Sequence, residues 1–171
     1  MNKNFIWRAF LLTFCMLAFN GCAREIKPVE PATKIETLAD FERSSFHYTY
    51  GLVKEKGWAL NTGEFNNPYK SRVIPNVTID VPSRGDKVGH YGLSFYKRQT
   101  LSQTDLDFIY ALLHSIDTTM PISTELKEYI KTNAERRVFQ VTEAEPTTFS
   151  GYKVFAGKVG AEQVISLDSG K

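Results

Sequence analysis

Tyr110, His114 and Asp117 stand at i, i+4 and i+7, a spacing that on a helix lines up a phenol, an imidazole and a carboxylate along one face. Such a row could relay a proton in a hydrolytic reaction. A histidine in the last turn of a helix is equally what the helix dipole favours, and an adjacent aspartate is an ordinary partner for it, so the row reads first as structure. Asp105 and Asp107 sit two apart and point in different directions on a helix, which suits capping better than a hydrolytic carboxylate pair. His47, His90 and His114 are far apart in the chain, and no G-x-S-x-G, H-E-x-x-H, Walker or paired C-x-x-C spacing is present. Neither a metal nor a cofactor is expected.

Two other stretches carry binding chemistry. The segment from Lys56 to Lys70 reads as a loop that places Trp58, Phe65 and Tyr69 among Asn61, Asn66 and Asn67. Aromatic faces beside amides can stack on sugars or anchor a partner protein, although Trp58 reads first as a cap on the core. The segment from Pro82 to His90, with Arg84, Asp86 and Lys87 around Gly85, is polar and reads as a mobile contact loop. Trp58, Phe65, Tyr69, Arg84, Asp86 and Lys87 are therefore the candidate partner-binding residues.

The cysteines bear on location. Met1 to Arg8 carries Lys3 and Arg8 and no acid, and an apolar run from Ala9 to Phe19 follows. A bilayer-spanning helix needs about 20 apolar residues, so this shorter run is expected to be a signal peptide, residues 1–21. The stretch Phe19-Asn20-Gly21-Cys22 resembles the lipobox of bacterial lipoproteins, with Phe19 where leucine is usual and Asn20 where serine or alanine is. The resemblance implies that the Cys22 thiol carries a diacylglyceryl group and becomes the new N-terminus. It also implies, since Ala23 and not an aspartate follows the cysteine, delivery to the outer membrane, with the folded body in the periplasm or at the cell surface. Cleavage after Ala23 is the rival, and would release a soluble chain beginning at Arg24. Either way Cys15 is lost and the mature body holds no thiol. Lys3 and Arg8 leave with the leader, so the remaining basic side chains balance the 19 acidic ones, and attraction to nucleic acid is not expected.

The elements that must position these groups follow from period. Residues 22–37, with Pro28 and Pro31 among mixed charges, read as a lipidated N-terminus and spacer, and residues 38–171 as a single globular domain. Phe46, Tyr48, Tyr50 and Leu52 alternate with polar positions and predict a strand over 46–54; Val77, Ile79 and Val81 predict a second over 76–81, and Tyr91, Leu93 and Phe95 a third over 90–98. Ser102 with Asp105 makes a capping box, and Leu106, Ile109, Tyr110, Leu113 and Ile116 predict a helix over 103–117. A weaker helix is expected from Thr124 to Arg136, then short strands at 138–142, 152–156 and 163–167. The fold class is α+β: a mainly antiparallel sheet with two helices on one face, in the order βββ-αα-βββ.

The function this supports is a lipid-anchored, non-enzymatic binding or assembly module of the bacterial envelope, as a component of a secretion or envelope machine or as an immunity protein. The alternative is an envelope hydrolase acting on cell wall or lipid through His114 and Asp117. A carrier of a small ligand or glycan using Trp58 is a third option.

Overall fold

The computed structural model describes residues 34–89, 94–138 and 146–168. The leader, Cys22, the spacer up to residue 33, the first part of the 90–98 strand and most of the 138–142 strand lie outside the described residues. All described residues belong to one compact unit, Pro31–Lys171.

The architecture is α+β and dominated by its sheet. The described helices are α1 (Leu38–Arg43), α2 (Ser45–Thr49), α3 (Gln103–Ile116) and α4 (Thr124–Asn133). The strands are β1 (Leu52–Lys54), β2 (Trp58–Ala59), β3 (Phe65–Ser71), β4 (Val77–Arg84), β5 (Lys87–Val88), β6 (Ser94–Lys97), β7 (Arg137–Val138), β8 (Thr147–Phe149), β9 (Tyr152–Val159) and β10 (Glu162–Asp168). The sheet runs β1-β3-β4-β6-β10-β9-β7, with β2 beside β3, β5 beside β4 and β8 beside β9. All pairings are antiparallel except β7 with β9.

Strand parity fixes which face is core. Tyr69, Ile79, Phe95, Ile165 and Ala156 stand in register across five strands, and all are buried. Helix α3 lays Phe108 over this row, with its ring 5.8 Å from Phe95 and 5.1 Å from Phe46. A fully buried phenylalanine of this kind contributes about 1.5–3 kcal/mol. Helix α4 buries Leu126 and Ile130, and its Tyr129 hydroxyl donates to the Val154 carbonyl at 3.1 Å.

The capping box predicted for α3 is present. Ser102 Oγ accepts from the Asp105 amide, and Asp105 Oδ2 accepts from the Ser102 amide at 2.7 Å. A second box, Thr37 with Asp40, starts α1. The body begins ahead of Leu38, inside the stretch read as spacer: the Ile35 amide donates to the Ile116 carbonyl at 2.8 Å, Ile35 is buried, and Thr37 bridges to Lys87.

Two expectations are corrected. The strand over 46–54 shortens to β1, because residues 45–49 are helical. Phe46 and Tyr50 share parity, which suits a strand, but they are also four apart, which suits a helix. Capping decides between these: Ser44 Oγ accepts from the His47 amide at 3.1 Å, and Gly51 at φ +55° closes the turn. Phe46 and Tyr50 then pack together at 4.8 Å, while Tyr48 faces solvent.

The Lys56–Lys70 stretch is likewise not a loop, since β2 and β3 occupy much of it. Its Phe-Asn-Asn-Pro-Tyr run lacks apolar alternation, yet Asn67 is satisfied inside the sheet, its amide donating to the Val81 carbonyl and Ser83 Oγ, each at 2.9 Å. Pro68 has no amide proton to offer the edge, and the edge divides opposite it into β1 and β2, with Glu55 donating its amide to the Pro68 carbonyl at 2.8 Å.

Candidate functional site

The β4–β5 hairpin turns through Gly85 and Asp86, with Gly85 at φ +66°, where a glycine is favoured, and Arg84 paired with Lys87. Within the expected Pro82–His90 loop, residues 82–89 thus form a clamped hairpin and not a mobile loop, and His90 lies outside the described residues. The Leu38 amide donates to the Asp86 carbonyl and the Val88 amide to the Glu36 carbonyl, each at 2.9 Å. Arg84 Nη2 reaches the Thr62 carbonyl at 3.0 Å, tying this tip to the turn between β2 and β3. Phe65 lies at the same end, directly across from Ser83, and remains 45% exposed with its ring against Gly57. Phe65, Arg84, Asp86 and Lys87 are thereby brought to one end of the sheet, all exposed.

The other two candidates part from this group. Tyr69 belongs to the core, at 0% exposure, and cannot touch a partner. Its hydroxyl donates to Glu42 Oε1 at 2.7 Å and its ring packs 4.9 Å from Phe41. Burial, reinforced by Glu42, pushes its phenol well above the usual range. Trp58 is 48% exposed but pairs with Asn66, so it stands on the sheet face opposite Phe65 and Tyr69.

That opposite face carries a groove of about 550 Å³. Pro68 and Lys70 of β3, Thr78 of β4 and Tyr96 of β6 line it, with Trp58 on one side. Two ion pairs border it: Lys70 with Glu55 at 2.8 Å and Arg98 with Glu162 at 3.0 Å. On the same face Asn66 and Asp80 each bury a side-chain Oδ1 without a partner among the described residues. Burial raises the Asp80 carboxyl above its ordinary range, Glu162 adds to this, and a hydrogen bond from Asn66 opposes it. Sequence reading missed that Tyr96, Lys70 and Arg98 line the same groove as Trp58. Tyr96 falls on the polar side of the predicted 90–98 strand, and that was the available signal.

The Tyr110, His114 and Asp117 row does not assemble into a relay. Asp117 Oδ1 accepts from the Thr119 amide at 2.9 Å and hydroxyl at 2.6 Å, while Oδ2 accepts from the Tyr152 hydroxyl; these bonds hold its carboxyl below the ordinary range. Tyr110 lies instead under the Lys127 ammonium, 5.4 Å away, and His114 is exposed. Asp105 caps α3 and also pairs with Lys97 in the interior, while Asp107 accepts from Gln103 on the surface at 2.9 Å.

Among the described residues no cluster of three His, Cys, Asp or Glu side chains could hold a metal ion, and no helix is long and apolar enough to cross a membrane. Compared with known family models, curated proteins and solved structures, the chain matches none of them.

Proposed function

We propose that this chain is a lipid-tethered, non-enzymatic binding module of the bacterial envelope, held at the outer membrane through acyl chains on Cys22. Its partner is a protein that docks on the hairpin end of the sheet. The observation that carries this reading is the gathering of Phe65, Arg84, Asp86 and Lys87, from three strands and a turn, onto one exposed end. An exposed aromatic beside an arginine offers residue types enriched at interface centres, and Asp86 and Lys87 suit the polar rim around them. The hairpin is braced by residues 36–38, so little ordering would be needed on binding. Acylation by more than one chain would keep the body at a membrane, where a single chain would be marginal.

The experiment has two arms in the native host. Metabolic labelling with an alkyne fatty acid should tag the wild type but not Cys22→Ser, and Cys22→Ser should leave the membrane fraction. A photo-crosslinker at Phe65 or Lys87 should trap one dominant protein that a crosslinker at Glu128 on α4 does not. An unlabelled Cys22, or identical crosslinking from the hairpin end and from Glu128, refutes the corresponding half of the proposal.

A further inference from the structure

The face opposite the helices offers a chemistry distinct from that of the hairpin end. Trp58 presents an indole that is about half exposed, and Tyr96 stands beyond it on the same face, in register with Thr78. Of the charges that line it, Lys70 pairs with Glu55 and Arg98 with Glu162, each pair substantially exposed, while Lys97 pairs with Asp105 in the interior and the exposed Lys56 belongs to none of these pairs. Most of this charge is balanced pair by pair, with Lys56 in excess, and the pairs set hydrogen-bond donors and acceptors side by side. The volume is in the range of small-ligand sites, about 300–1,000 Å³.

We propose that this groove binds an uncharged, hydroxyl-rich glycan strand, seated against Trp58 and Tyr96 and hydrogen-bonded by the paired charges along its walls. A sugar ring has an apolar C–H face for the indole and hydroxyls that both donate and accept, which matches an aromatic surface bordered by ion pairs. An extended peptide fits less well. Its main chain would need a free strand edge to pair with, and the nearest edge is interrupted opposite Pro68. An acidic ligand would meet Lys56 but would have to displace Glu55 and Glu162 from the other two exposed cations. This inference goes beyond the tethered-module reading and does not depend on Cys22 or on the hairpin end.

The test is calorimetric titration of the full chain with the N-acetylglucosamine tetramer, and separately with hexa-glutamate. Saturable binding of the sugar, little changed by salt, is expected, with no binding of the peptide. Trp58→Ala should weaken the sugar about tenfold or more, and Trp58→Phe should recover most of that loss. Phe65→Ala, on the other face, should leave the affinity unchanged, as should Cys22→Ser. Thermal melts show whether each variant is folded. Absence of saturable binding at millimolar sugar overturns the proposal, as does an unchanged affinity in folded Trp58→Ala or a preference for hexa-glutamate. None of these failures would touch the tether or the crosslinking result.

Discussion

Asp105→Ala should be among the most damaging single changes in this protein, although Asp105 lies in a capping position. Its side chain is 1% exposed and faces Lys97 at 7% exposure. One oxygen takes the Lys97 ammonium, and the other accepts from the Ser102 amide and hydroxyl, each at 2.7 Å. The substitution removes half of the capping box and strands an ammonium in the interior. Breaking a buried pair costs about 3–5 kcal/mol, a large share of the roughly 5–15 kcal/mol that holds a domain folded. A fall in melting temperature on the order of 10 °C follows for a body of this size.

Lys97→Met should cost less, about 2–3 kcal/mol, because the carboxylate keeps its Ser102 donors. The double variant Lys97→Met/Asp105→Asn retains an acceptor for the cap and leaves no buried ion. It should be more stable than Asp105→Ala. Burial alone would raise the Asp105 carboxyl, but the bonds from Lys97 and Ser102 outweigh this and hold it below its ordinary value. A depressed folded value means that the stabilisation is present above the unfolded value, about pH 4, and is lost as pH falls through the folded one. Urea melts followed by circular dichroism at neutral and acid pH should therefore show the gap between wild type and Asp105→Ala narrowing in acid. A loss below about 1 kcal/mol at neutral pH, or a gap that does not narrow, refutes the reasoning.

Three further outcomes are expected from the same melts. In Gly57→Ala the new methyl would lie 2.2 Å from the Asn66 carbonyl oxygen and 2.4 Å from the Phe65 ring. The backbone between β1 and β2 must shift, for a loss of about 1–3 kcal/mol. Tyr69→Phe deletes the donor to Glu42, whose side chain is 41% exposed. The loss should be about 1 kcal/mol at neutral pH, and it should fade in acid because the Tyr69 bond is the main reason the Glu42 carboxyl is depressed. Asp80→Asn should work in the opposite direction. A buried carboxyl with a raised value contributes stability that is present in acid and lost as pH rises through that value, so the amide should stabilise at neutral pH and gain nothing in acid.

Much of the fold was legible wherever the deciding interactions are local. The Ser102 and Asp105 box lies within one turn, so the start of α3 could be read directly, and the alternation of Val77, Ile79 and Val81 marked β4. Residues 46–50 are ambiguous by period because positions four apart satisfy both, and it is the Ser44 cap that settles them as helix. β3 was hidden because its buried asparagines find their partners on another strand, Val81 and Ser83.

For the candidate sites, residue type showed which side chains could bind, and pairing decided which of them meet. Phe65, Arg84, Asp86 and Lys87 share an end because β3, β4 and β5 are neighbours, whereas Tyr69, drawn from the same short stretch, is enclosed beneath α1. Trp58 is parted from Phe65 by strand parity, which sends adjacent cross-strand pairs to opposite faces. The groove draws on strands far apart in the chain, and the Lys97 and Asp105 pair joins a strand to a helix. The α+β class and the Ser102 and Ser123 helix starts were legible in advance, since each depends on neighbours along the chain. Tertiary structure alone decided which faces are open and which polar groups are buried together, because those depend on strand register between residues the sequence keeps apart.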